Sequence, residues 1–268
     1  MKIPNFDPVA ISLGPLQVHW YGIMYLLAFA SAWFIAMYRA KKPGSPISAS
    51  QVEDLVLFAA IGTVVGGRIG YVVFYNFEAF MLEPLWLFRV WEGGMSFHGG
   101  FLGVVTAMAL YARKHKINII QLLDFIGPMV PLGLMFGRIG NFIGQELWGR
   151  ATDVPWGVIF PDDRLQLVRH PSQLYEAALE GLVLFVLLFV YSMKPRPRGT
   201  VCGLGISLYA IFRIAVEFTR EPDAHIQFDL FGWMTRGQIL SIPMLLVGLL
   251  LIMWGLLSAR SNPVASSK

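Results

Sequence analysis

Residues Gln238–Leu257 read QILSIPMLLVGLLLIMWGLL, twenty positions without a charged side chain. A helix needs about 17–25 predominantly apolar residues to cross the hydrocarbon core of a bilayer. Six further blocks upstream reach or approach that length: Trp20–Tyr38, Leu55–Tyr75, Phe97–Tyr111, Ile119–Phe136, Tyr175–Met193 and Val201–Phe218. The third is short, and Pro128 and Pro131 interrupt the fourth. The composition agrees, with 56% hydrophobic and only 14% charged residues, where soluble domains carry about a quarter. Lipid offers no partner to a free backbone group, so spans must be helices or a closed barrel. Continuous apolar runs lack the alternation of a barrel strand. The expectation is an all-α, polytopic helical membrane protein with about seven transmembrane helices.

Basic residues predict the orientation. Arg39, Lys41 and Lys42 follow the first block, Arg113, Lys114 and Lys116 the third, Lys194, Arg196 and Arg198 the fifth, and Arg260 and Lys268 the seventh. By the positive-inside rule these connections are cytoplasmic, which places the N-terminus outside and the C-terminus inside. The net charge of +4 is explained by that anchoring and calls for no nucleic acid. The first block is read as a retained span, because only Lys2 stands as a basic n-region and the apolar run is long for a signal peptide.

The chain reads as one membrane domain over residues 1–268, without an internal repeat. Two outward connections are long: 137–174 holds Trp148, Trp156, four arginines and three aspartates, and 219–237 holds Arg220, Glu221, Asp223, Asp229 and Arg236. Long ordered loops are commonly functional, and these two are expected to form a small outer-face cap. Gly62, Gly66 and Gly70, and likewise Gly133 and Gly137, recur at spacing four, a pattern that lets helices approach closely. Cys202 is the sole cysteine and reads as a small hydrophobe in an apolar setting. The five histidines are scattered, with no i, i+4 pair and no cysteine beside them, so no metal site is expected.

Charges inside apolar blocks carry the functional signal, because each costs about 2.5–3.5 kcal/mol on insertion scales at a helix centre. They are Arg68, His98, Arg138, Glu176, Arg213 and Glu217. Arg213 and Glu217 are four apart and share a helix face with Tyr209, a spacing that also suits a self-satisfied ion pair. Arg138 meets no local acid before Glu146, and a guanidinium near a polar cavity can grip a phosphate through two parallel hydrogen bonds. His98 follows Ser96 within GMSFHGG. Histidine exchanges protons near neutral pH and is a natural base, although a helix-start histidine bonded to a carbonyl has the same sequence. Ser96 and His98, two apart, point in different directions on a helix and do not form a hydrolase pair.

The densest stretch is GRIGNFIGQELWGR, Gly137–Arg150. With His19-Trp20-Tyr21-Gly22, GGMSFHGG over Gly93–Gly100, HPSQLYE over His170–Glu176 and RIAVEF over Arg213–Phe218, it resembles the bacterial prolipoprotein diacylglyceryl transferases along the whole chain. One departure lies at Gly144 and Gln145, where members of that family often carry Asn and then Gly.

The resemblance implies transfer of a diacylglyceryl group from phosphatidylglycerol to the lipobox cysteine thiol of a prolipoprotein, giving a thioether and releasing glycerol phosphate. It implies no metal or organic cofactor. It also implies residence in the bacterial cytoplasmic (inner) membrane among membrane lipids, with chemistry towards the outer face. Under it, Arg138 binds the lipid phosphate and Arg213 shares that charge. The thiol needs a base: His98, with Glu176 or Glu217 as alternatives or orienting groups. Tyr21 and Tyr209 would fix the head group, and interfacial anchoring suits Tyr21 as well. Asn141, Glu146 and Gly149 would shape the loop that supports Arg138, and Arg68 is expected to be structural.

Three other classes fit parts of the sequence. A transporter for an anionic solute would use the same arginines, but the odd span count and missing repeat speak against it. A non-catalytic scaffold would leave the buried charges unexplained. An intramembrane protease lacks a Ser–His or paired-Asp arrangement.

Overall fold

The computed structural model describes residues 2–4, 6–14, 16–221 and 232–261. Residues 222–231 of the second long connection, among them Asp223, His225 and Asp229, and Lys268 lie outside the described part. The protein is helical throughout its apolar blocks, as expected. Six segments are long and apolar enough to cross a membrane: Trp20–Ala40, Ala49–Tyr75, Ile119–Ile143, Ser172–Tyr191, Thr200–Glu217 and Arg236–Ser261. A seventh helix, Phe97–Lys114, is 18 residues long, roughly 27 Å at 1.5 Å per residue, but is less apolar than these. Its glycines at 99, 100 and 103, with His98 and Thr106, dilute the apolar run. Contacts divide the chain into two units, one of Met1–Phe34 with Leu123–Lys268 and one of Ile35–Leu122.

In the second unit, helix α2 (Val52–Tyr75) packs against helix α4 (Phe97–Lys114), with α3 (Phe77–Leu82) and two 3-10 turns between them. Glycine makes this packing possible. A Cβ on Gly62 would stand 2.7 Å from the Gly103 carbonyl oxygen, and one on Gly70 would stand 2.6 Å from Gly99 Cα. Gly66 is as close to the Gly99 carbonyl and Gly103. The small-residue spacing in this block therefore works as predicted. The far end is held by Lys114 Nζ on Asp54 at 2.9 Å and by the Tyr111 hydroxyl donating to the Gln51 carbonyl at 3.0 Å.

Arg68, 2% exposed, fills its donors with main-chain carbonyls. Nε donates to Leu87 (2.9 Å), Nη1 to Gly93 (2.5 Å) and Gly94 (3.3 Å), and Nη2 to Trp86 (2.7 Å). Its guanidinium also lies 4.3 Å from the Trp86 ring centroid, a cation–π contact. It clasps the connector that leads from α3 into α4, which is the structural role expected of it.

The first unit starts with a hairpin, β1 (Val9–Leu13) paired antiparallel with β2 (Leu16–His19), that leads into α1 (Trp20–Ala40). The fourth block runs further than its sequence suggests. Helix α5 (Ile119–Ile126) passes through a 3-10 turn at Gly127–Met129 into α6 (Val130–Ile143). Proline is tolerated in the first turn of a helix, where its missing N–H would have no partner anyway, so Pro131 starts α6 without ending the span. Arg138 and Asn141 thus lie within the helix rather than beyond it. Gly133 and Gly137 differ from the α2 glycines: a Cβ at either would meet nothing within 4 Å, so the close packing predicted there is not formed among the described residues. The fifth block comprises α7 (Ser172–Glu176), a π-helical stretch Ala177–Val183 and α8 (Leu184–Tyr191). Helix α9 (Thr200–Glu217) packs along α10 (Arg236–Ser261). The start of α9 is fixed by Asp124 of α5, whose carboxylate accepts the N–H groups of Gly199 (2.6 Å) and Cys202 (2.8 Å), satisfying donors that a helix start leaves free.

Candidate active site

Three helices of the first unit bring ionised groups together. Arg138 projects from α6, Glu176 and Glu180 from the fifth block, and Arg213 and Glu217 from α9. Arg138 Nε contacts Glu176 Oε2, so the arginine for which the sequence offers no acid before Glu146 has one from another helix. Arg213 Nη2 stands 2.7 Å from Glu217 Oε2, the i, i+4 pair expected. Its Nη1 stands 3.3 Å from Glu176 Oε1 and 3.7 Å from Glu180 Oε1. Glu176 is 1% exposed and Glu180 is fully enclosed. The carboxylate oxygens of Glu176 and Glu180, with Glu217 Oε2 and Arg213 Nη1, are buried and outside hydrogen-bonding geometry among the described residues. These groups meet by charge rather than by a completed hydrogen-bond network, an arrangement costly to keep and open to a further partner.

The π-helical turn lies where the two glutamates face Arg213. Such turns widen one helical turn and recur at functional sites. Tyr209, one turn before Arg213, is within electrostatic reach of Glu180, Arg213, Arg138 and Glu176. The Tyr21 ring lies under Gly140, whose added Cβ would come within 3.1 Å of it. That glycine belongs to the same signature stretch as Arg138.

A loop closes around one end of this cluster. Asn141 is buried and links two partners: its Oδ1 lies 3.5 Å from Arg138 Nη1, and its Nδ2 donates to Glu146 Oε2 at 3.4 Å. Gln145 and Leu147 have φ values of +55° and +56°, a region that favours glycine. The departure from the family pattern at Gln145 thus falls where glycine would sit without strain. This glutamine is buried and accepts the Asp162 N–H at 3.0 Å. Gln173 Nε2 donates to the Glu146 carbonyl at 2.6 Å and Ser172 Oγ to that of Leu147 at 3.2 Å, which ties HPSQLYE to the signature loop. A Cβ on Gly149 would lie 2.5 Å from both the His170 and Thr219 carbonyl oxygens. Only glycine fits between those two strands of chain.

Beyond it, β3 (Val158–Ile159) pairs with β4 (Val168–Arg169) in a small hairpin. Buried Arg169 anchors the hairpin, donating from Nε to Asp163 at 2.8 Å. That bond, with the N–H groups of Leu165 and Leu167, holds the Asp163 carboxyl below the usual range against the opposing effect of burial. The first long connection is therefore an ordered, cap-like element.

His98 belongs to the second unit, where it is the second residue of α4 and exposed. Its ring meets Phe97 edge-on, and with Phe74, Tyr75 and Ser96 it borders a cavity of about 330 Å³. Ser96 caps α4, its Oγ accepting the Gly99 N–H at 3.2 Å. Sequence reasoning missed Glu180, although the i, i+4 rule that joined Arg213 to Glu217 also joins it to Glu176. It also missed Gln173, Arg169 and Arg220, the last lying 4.0 Å from Glu217.

Helices able to cross a membrane, with arginines and glutamates paired between them and an ordered loop tied to them, fit a polytopic membrane enzyme. Residues 8–254 match the family model described as prolipoprotein diacylglyceryl transferase. Proteins named phosphatidylglycerol–prolipoprotein diacylglyceryl transferase are close relatives. That of Teredinibacter turnerae is 59% identical over 95% of this chain and 92% of its own. That of Acinetobacter baylyi is 59% identical over 94% and 93%, and that of a Marinomonas species 54% identical over 100% and 99%. The chain belongs to the prolipoprotein diacylglyceryl transferase family.

Proposed function

We propose that this chain moves the diacylglyceryl group of phosphatidylglycerol to the lipobox cysteine of a prolipoprotein signal peptide, at the outer face of a bacterial cytoplasmic membrane. The observation that carries this reading is the Arg138–Glu176–Arg213–Glu217 cluster between α6, α7 and α9, buried except at the part-exposed Arg138, in a chain of this family. A thiolate attacks the glycerol carbon, the S–C bond forms, the C–O bond breaks, and the electron pair leaves with glycerol phosphate. That leaving group is already an anion, so it needs cations more than a proton. Arg138 grips the phosphodiester oxygens, and Arg213 answers the charge that grows on the departing phosphate.

The thiol proton goes to His98 in this reading, with Glu176 or Glu217 as alternatives. Tyr21 and Tyr209 position the head group through their hydroxyls. Asn141, Glu146 and Gly149 hold the loop that sets Arg138. The chain acts as a single membrane domain, with basic connections in the cytoplasm and the 137–174 cap outside. The test is incubation of the purified protein with glycerol-labelled phosphatidylglycerol and a lipobox peptide, with cysteine or with serine in its place. Label transfer that requires the cysteine supports the reading. Solute flux without lipid turnover would replace it with a transporter.

A further inference from the structure

The charges of the cluster do not add up to an empty cationic hole. Arg138 and Arg213 face three carboxylates, Glu176, Glu180 and Glu217. Arg220, 4.0 Å from Glu217, brings the formal sum to neutrality. On the function proposed above, a phosphodiester monoanion must then enter among six groups whose three cations already face three acids. Leaving a net charge buried is expensive, so something must offset the added negative charge.

Glu180 is the group best placed to do so. Its side chain is fully enclosed, and its nearest cation is Arg213 Nη1 at 3.7 Å, an atom that lies closer to Glu176 at 3.3 Å. Glu176 and Glu217 have shorter contacts of their own, to Arg138 Nε and Arg213 Nη2. Neither Glu180 oxygen has a hydrogen bond among the described residues. The charged and titratable groups that face it are Arg213, Tyr209 and Glu217 on α9, Arg138 on α6 and Glu176 on its own element. When phosphate draws the guanidiniums of Arg213 and Arg138 towards itself, Glu180 loses its nearest cation. A carboxylic acid at that place is neutral and also becomes a donor, able to hydrogen-bond Glu176 or a phosphate oxygen.

We propose that Glu180 carries the proton that keeps the cluster neutral when lipid phosphate occupies the two arginines, so that phosphatidylglycerol and one proton bind together. By linkage, each favours the other. The test uses the full-length protein in bilayer discs of phosphatidylcholine, titrated with phosphatidylglycerol from mildly acid to mildly alkaline pH. The wild type should lose affinity with rising pH, up to about tenfold per unit where the free carboxyl is ionised. Glu180→Gln, a permanent mimic of the neutral acid, should bind with an affinity that changes little over the same range.

Equal pH slopes in the two proteins would overturn the proposal. Infrared difference spectra of the wild type give a second readout independent of that variant's folding. A protonated-carboxyl stretch should appear when lipid binds and shift in Glu180→Asp, and absence of such a band overturns the assignment. Failure of the function reading looks different: the wild type would bind no phosphatidylglycerol, or would bind it equally well after Arg138→Lys, and the proposal would fall with that reading.

Discussion

Arg68 and the Arg138–Arg213 pair are all arginines inside apolar helices, yet their surroundings share little. Arg68 donates to the carbonyls of Trp86, Leu87, Gly93 and Gly94, neutral acceptors that are part of the main chain. Nothing can replace them without unfolding the connector. Arg138 and Arg213 face side-chain carboxylates, several of whose oxygens lie outside hydrogen-bond geometry among the described residues. One anion can stand in for another there. The difference separates an arginine that builds from an arginine that binds, and helix position would not have told them apart.

The sharpest way to break this comparison is Arg138→Lys, which keeps the charge and loses the planar fork. Thioether formation should fall by about a hundredfold or more, with the thermal midpoint nearly unchanged; a normal rate would remove the phosphate role. Arg68→Met should show the converse. Losing charge-assisted bonds to four carbonyls should cost about 3 kcal/mol, seen as a midpoint lower by on the order of 10 °C and faster proteolysis within 84–94. If its midpoint holds while its rate collapses, Arg68 belongs with the binding arginines.

Much of the fold was legible, because spans are written as apolar runs and their ends as basic clusters. Gln238–Leu257 and Tyr175–Met193 needed no partner to be read. Arg213 with Glu217 was legible for the same reason, being local. Arg138 with Glu176 was not, since it joins two helices far apart in sequence and leaves no periodicity. Glu180 was hidden within a block read for its apolarity. The glycines at 133 and 137 carry the same spacing as those of α2, yet among the described residues nothing lies within 4 Å of where their Cβ atoms would stand, because spacing records what a helix permits and not what packs there.

Two glycines sharpen the view of the supporting loop. Gly149→Ala should lose about 1–3 kcal/mol, because its Cβ would press on two backbone carbonyls that cannot yield. Gly137→Ala, with open space around its Cβ, should change stability little or raise it slightly through helix propensity. Thermal unfolding of both variants checks the pair. A modest effect that depends on pH is expected at Asp163. Its carboxyl is held low in the folded protein, so its stabilising share is complete above the unfolded value near 4 and fades as pH falls through the lower folded one. The midpoint difference between wild type and Asp163→Asn should therefore be a few degrees near neutral pH and shrink in strong acid; a difference that grows on acidification would reverse the sign argued here.

The most direct test of the central claim is equilibrium binding of labelled phosphatidylglycerol to Arg138→Lys and Arg68→Lys, each checked for folding, in phosphatidylcholine discs. At least a tenfold loss is expected for Arg138→Lys, against an affinity close to wild type for Arg68→Lys. Equal losses, or a loss confined to Arg68→Lys, would contradict the division between binding and building arginines.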